Sequence, residues 1–233
     1  MNNYLTIEND YYKIFYEEKY KEYIEKILKF STNKIKENLN FFNHDSYGEK
    51  IKAYFFTNKN SFIKRIHELN KNANIQSYTK GCTFGNEIQI LIDENNLNSS
   101  FYILAHETCH LLFSKYIYKN NYSKRIVWLD ESFATNFSGQ VEFEMENGNF
   151  NKKVSKYMNL ECLPSIKEMS FKNNNIINEK YNAYDFFRII GRYMIENYSK
   201  ENLLKIYKNE NEVLKLEDNI LKKSISYFSI NVI

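Results

Sequence analysis

Phe101-Tyr-Ile-Leu-Ala-His-Glu-Thr-Cys-His-Leu-Leu-Phe113 is an apolar run without a helix breaker, and inside it His106-Glu107-Thr108-Cys109-His110 spells HExxH. Two of the four histidines of the chain stand here. Residues four apart on an α-helix lie about 40° apart around the axis, one turn above each other. His106 and His110 can therefore present two imidazole nitrogens to one metal ion. Glu107 is rotated by about 100° from His106, which sets it beside the ion rather than on it. A general base that takes a proton from a water on the metal needs that position. Cys109 points away from the shared histidine face and reads as a small buried apolar residue.

A hydrolytic zinc takes three protein ligands and keeps one open position, so two histidines are not enough. The next informative stretch is Val127-Trp-Leu-Asp-Glu-Ser-Phe-Ala134. Glu131 is the acidic residue best placed to supply the third bond, at the expected start of the following helix. A carboxylate there is also favoured by the helix dipole. The HExxHxxGxxH arrangement fails, because Phe113 and Tyr116 occupy the required Gly and His positions. His44, in the polar loop Asn43-His-Asp-Ser46, and His67, on a mixed-charge helix, read as bystanders. Asp130, Thr135 and Asn136 flank Glu131 and are candidates for orienting the histidines by hydrogen bonds.

These two motifs together resemble the gluzincin superfamily of zinc metallopeptidases, in which HExxH is followed on a later helix by a ligand Glu. The Trp128–Ala134 run looks like the WLNEGFA-type segment of the aminopeptidase-N-like branch and the WLSEGLA-type segment of compact peptidase-MA-like domains, relatives of the thermolysin-like families. The resemblance covers about Tyr12 to about Tyr207, strongly at the metal motifs and loosely elsewhere. It implies a zinc-dependent peptidase with one Zn2+ per chain on His106, His110 and Glu131, Glu107 as general base, and a peptide or protein substrate. It further implies that the strand before the HExxH helix, Glu87–Asp93, is an exposed sheet edge that pairs with extended substrate backbone. It implies an oxyanion donor on a helix of the C-terminal half. No histidine follows His110, so that donor is a tyrosine, Tyr181 at the expected helix start first and Tyr184 second. Gly81-Cys-Thr-Phe-Gly-Asn-Glu87 is not the GxMEN motif with which aminopeptidases hold a substrate amine.

Composition sets outer bounds. The chain has 233 residues and is 43 % hydrophobic, enough for one module or two closely packed subdomains. Its net charge is only +3, with cations dispersed among acids, which argues against a dedicated nucleic-acid surface. No stretch approaches the ~20 apolar residues of a membrane span. The N-terminus lacks the basic and apolar regions of a signal peptide. Three cysteines, Cys82, Cys109 and Cys162, show no CxxC spacing and agree with a reducing, cytoplasmic setting.

Periodicity predicts strands at Lys13–Tyr16, Lys50–Thr57, Gln76–Thr83 and Glu87–Asp93, the last two around a Gly85-Asn86 turn. It predicts a long amphipathic helix from Glu17 to about Phe41 and a short one over Ser61–Leu69. The HExxH helix is expected over Ser99–Tyr118 and the Glu131 helix over Leu129–Val141. Further helices follow at Lys152–Leu160, Ser165–Met169, Tyr181–Tyr198, Glu201–Tyr207 and Glu217–Phe228. The expected class is α+β: a small N-terminal mixed sheet with a helix to about residue 98, then a helical part carrying the ligands, with the metal site between them. Two other readings fit the same residues: a catalytically inactive metal- or peptide-binding relic of the same fold, and a helical interaction protein in which HExxH is coincidental.

Overall fold

The computed structural model describes residues 4–158, 163–169, 177, 180–217 and 219–230. Cys162 and the end of the helix expected over Lys152–Leu160 lie outside them. The chain divides into two compact units, Met1–Leu112 and Phe113–Ile233. The sheet-bearing unit thus runs on past residue 98 and takes in the HExxH motif.

In the first unit, β1 (Tyr4–Glu8), β2 (Tyr12–Glu17), β3 (Ile51–Phe56), β4 (Gly81–Phe84) and β5 (Glu87–Leu91) form one sheet in the order β1-β2-β3-β5-β4. The sheet is mixed, as expected: β2-β3 and β3-β5 are parallel, while β1-β2 and β4-β5 are antiparallel. The register places Tyr12, Ile14, Ala53, Phe55, Ile88 and Ile90 on one face, where all are buried. Gly81 and Thr83 extend that face at the β4 edge. On the other face, α2 (Lys59–Leu69) sets Phe62 and Ile66 against Phe56, with Tyr54, Cys82, Phe84 and Leu91 around them. Side chains of this size contribute about 1.5–3 kcal/mol each when fully buried. In α1 (Lys21–Phe41), Ile24, Ile27, Leu28, Ile35 and Leu39 recur at helical spacing and are buried. The β4-β5 hairpin turns on Gly85-Asn86, where Gly85 has φ +57°, a value a residue with a Cβ rarely adopts.

Three expectations change here. Strand β4 begins only at Gly81, so Gln76–Lys80 is irregular. β1 is an additional strand that its short, largely exposed sequence did not announce. Most consequential, β5 is interior, paired with β3 on one side and β4 on the other. The sheet edge beside the HExxH segment is β4, because the hairpin folds one more strand outside Glu87–Asp93.

The HExxH segment is also not one uninterrupted α-helix over Ser99–Tyr118. α3 (Leu97–Phe101) stops at Tyr102, α4 (Ile103–Phe113) carries the motif, and Ser114–Tyr118 widens into a π turn. That turn ends on left-handed Lys119 and Asn120.

The second unit is helical: α5 (Val127–Phe137), α6 (Gln140–Glu146), α7 (Asn149–Met158), α8 (Ile166–Met169), α9 (Ala183–Asn197), α10 (Lys200–Lys208), α11 (Glu210–Glu217) and α12 (Ile220–Ser229). The helix expected over Leu129–Val141 is two helices, because Gly139 takes φ +87° and breaks the ladder between α5 and α6. α5 is buried from Trp128 through Asn136 and packs along α9. The close approach depends on Gly191. A Cβ there would lie 2.2 Å from Asn136 Nδ2 and 2.6 Å from the Ser132 carbonyl oxygen. Asn136 Nδ2 donates to that Ser132 oxygen and to the Arg188 carbonyl of α9, at 2.9 and 3.2 Å. Among the described residues, no helix is long and apolar enough to cross a membrane.

Candidate functional site

Within the first unit, α4 is oriented by contacts made off its histidine face. Thr108 Oγ1 lies 3.0 Å from the Tyr12 hydroxyl of β2, and Asn38 Nδ2 of α1 donates to Cys109 Sγ at 3.2 Å. Cys109 is fully buried, as its position on the helix predicts. By the 100° rule, Thr108 lies opposite the centre of the histidine face, and Cys109 about 80° to one side of it. Anchoring these two residues therefore fixes the azimuth of His106 and His110.

His106 Nε2 and His110 Nε2 face each other at 3.1 Å, with their rings at 83°. Two nitrogen ligands of a tetrahedral zinc at ~2.0–2.1 Å would stand roughly 3.3–3.4 Å apart. The pair therefore fits a shared ion with little movement. Both rings are half-buried, which suits a site that admits a ligand.

Glu107 is buried and points toward β4. Thr83 Oγ1 donates to its Oε2 at 2.7 Å. A Cβ at Gly81 would lie 2.5 Å from Glu107 Oε1 and 2.6 Å from Ile103 Cγ2. β4 can lie this close to α4 because residue 81 has no side chain. Cys82, between them in sequence, points to the opposite sheet face. Burial and, secondarily, the Glu107 charge raise its thiol pKa, so it is a poor nucleophile.

Within the second unit, Glu131 is the fifth residue of α5, one turn in from the helix start expected for it. Asp130 and Glu131 have side chains only 5 % and 8 % exposed. Arg125, from the preceding segment, bridges them: Nε lies 2.5 Å from Asp130 Oδ2, and Nη2 donates to Glu131 Oε1 at 3.0 Å. Burial works against the guanidinium charge, but the two carboxylates outweigh it and raise the Arg125 pKa. Tyr118 holds the chain next to Arg125: its hydroxyl donates to the Ile126 carbonyl and accepts from the Ile126 N–H, at 3.2 and 3.1 Å. Thr135 Oγ1 donates to the Glu131 carbonyl at 2.8 Å. Thr135 and Asn136 thus serve the helix backbone and its packing.

Tyr181 does not start α9; it precedes the Asn182 cap, whose side chain accepts from the Tyr184 N–H. Asn and Asp preferences place the boundary there rather than at Tyr181. The Tyr181 ring packs 5.7 Å from Phe186, and Tyr184, inside the first turn, packs 5.9 Å from Phe187. Buried Tyr157 of α7 locks this corner, donating to Asp185 Oδ2 at 2.9 Å and accepting from the Asn182 N–H at 3.2 Å. His44 and His67 are exposed residues of the first unit, at the end of α1 and on α2.

Sequence reasoning did not find Thr83, Gly81, Arg125, Tyr118 or Tyr157. Each acts through a partner far along the chain or through a loop without fixed spacing. Only the Gly81 position, inside a strand pattern, carries a local hint of close backbone approach. No family model matches this chain, and no curated protein matches it.

Proposed function

We propose that this chain is a zinc-dependent peptidase of the gluzincin type, holding one zinc ion with His106, His110 and Glu131. The observation that carries the reading is the facing pair of Nε2 atoms 3.1 Å apart, with a buried Glu107, oriented by Thr83, between the two histidines in sequence. Among the described residues, His106, His110 and Glu131 are a group of side chains able to offer three ligand atoms to one ion. Two neutral imidazoles and one carboxylate suit zinc. Once bound, zinc supplies Lewis acidity, lowering the pKa of a water towards ~7 and polarising a carbonyl.

The chain's own residues do the rest. Glu107 accepts the proton of the attacking water and passes it to the leaving amine. Thr83 holds one oxygen of Glu107, and the missing side chain at Gly81 leaves room for the other. The outer edge of β4, not β5, offers backbone N–H and C=O groups to an extended peptide. Tyr181, with Tyr184 as second candidate, donates to the oxyanion.

The test combines elemental analysis of purified protein with cleavage of a peptide library before and after chelation. The expected result is one zinc per chain and cleavage that chelation abolishes and added zinc restores. Folded protein that takes up no zinc would defeat the reading. Zinc-loaded protein that cleaves nothing would make it the inactive binder instead.

A further inference from the structure

We infer that Arg125 is a positioning residue for the third metal ligand, an assignment that rests on the metal site of the peptidase reading but not on its turnover. The Arg125 guanidinium spans two adjacent, almost fully buried carboxylates, Asp130 through Nε and Glu131 Oε1 through Nη2. Its planar fork can hold both at once, in a geometry an ammonium cannot reproduce. The fork itself stands on a fixed stem, because the Tyr118 hydroxyl clamps both backbone groups of the next residue, Ile126.

The consequence for Glu131 is directional. A glutamate side chain has several rotatable bonds, and freezing them at the moment of binding costs affinity. With Oε1 held by Arg125, the Glu131 carboxylate would already be oriented before an ion arrives. The positive charge of Arg125 would by itself repel a cation. Asp130 offsets it, so the pair fixes the ligand without adding net charge. A hydrogen-bonding partner of this kind is typically worth 10–100-fold in metal affinity. The opposite role, Arg125 as a competitor that occupies Glu131 in place of the ion, predicts the opposite sign.

The experiment is zinc affinity by competition with a chromophoric chelator, with circular dichroism as the check on fold. Arg125→Ala is expected to bind zinc about 10–100-fold more weakly, and added methylguanidinium to restore part of the loss. Arg125→Lys keeps the charge and loses the fork. It is expected to fold as the parent does and still bind several-fold more weakly, so it decides the matter even if Arg125→Ala unfolds. Parent-like affinity in Arg125→Lys and in any folded Arg125→Ala overturns the assignment, and so does tighter binding. His106→Ala separates this outcome from failure of the metal site. If His106→Ala loses zinc while the Arg125 variants keep it, only the role of Arg125 falls. If the parent binds no zinc, both fall.

Discussion

The Thr83 hydroxyl of strand β4 donates a 2.7 Å hydrogen bond to Oε2 of Glu107 in helix α4, 24 residues further along the chain. Bonds to a charged acceptor contribute roughly 1.5–3 kcal/mol. The geometry makes Thr83 the group that aims the proposed base. Thr83→Val is expected to lower kcat about 10–100-fold, with KM and zinc content little changed, while Thr83→Ser retains most of the rate. Steady-state kinetics on the three proteins read this directly, and a full-rate Thr83→Val enzyme would remove Thr83 from the mechanism.

Glu107 and Glu131 are both buried but are assigned different work, and conservative amides separate them. Glu107→Gln is expected to keep its zinc and lose about 10²–10⁴ in rate. Glu131→Gln is expected to weaken zinc binding itself. Metal content measured beside turnover distinguishes the two. A Glu107→Gln protein without zinc beside a fully active, zinc-loaded Glu131→Gln protein would reverse the assignment.

Tyr181 and Tyr184 flank the Asn182 cap of α9, and under the proposed reaction only the one that donates to the oxyanion is expected to matter to turnover. Tyr181→Phe keeps the ring and its packing near Phe186. Its expected effect is a fall in kcat of about 10²–10³ with KM little changed. Tyr184→Phe is expected to be near neutral. A crippled Tyr184→Phe enzyme beside a normal Tyr181→Phe one would transfer the role to Tyr184.

Gly191 lets α9 approach α5, the helix that carries Glu131. Gly191→Ala forces a methyl group against Asn136 and the Ser132 carbonyl oxygen, and the backbone oxygen cannot move aside cheaply. The expected cost is about 1–3 kcal/mol, seen as a melting temperature lower by several degrees. Thermal denaturation followed by circular dichroism checks it, and an unchanged midpoint would show that the helices adjust freely.

Strong, uninterrupted patterns were legible from residues alone. The long helix α1 follows from Ile24, Ile27, Leu28 and Ile35 at helical spacing, and the β4-β5 hairpin from Gly85-Asn86. Weak or mixed signals were not. β1 is short and largely exposed on both faces, so it lacks the alternation that burial imposes. The break at Gly139 lay inside a continuing apolar pattern, where periodicity says nothing about a single left-handed residue.

The sequence by itself determined the chemistry that can be brought to the candidate site. The i, i+4 spacing puts His106 and His110 on one helical face whatever surrounds them, and the same arithmetic turns Glu107 and Cys109 to opposite flanks of that face. Tertiary structure alone decided what holds those groups. Which strand forms the sheet edge depends on the pairing order, and that order placed β4, not β5, outermost beside Glu107. Thr83 reaches Glu107 because strand register and helix azimuth meet there. Arg125 reaches Asp130 and Glu131 because a loop of no fixed spacing is tied down by Tyr118. A local periodicity is set by backbone geometry and can be read from one segment. A hydrogen bond between distant segments depends on how the whole unit packs, and no single segment records it.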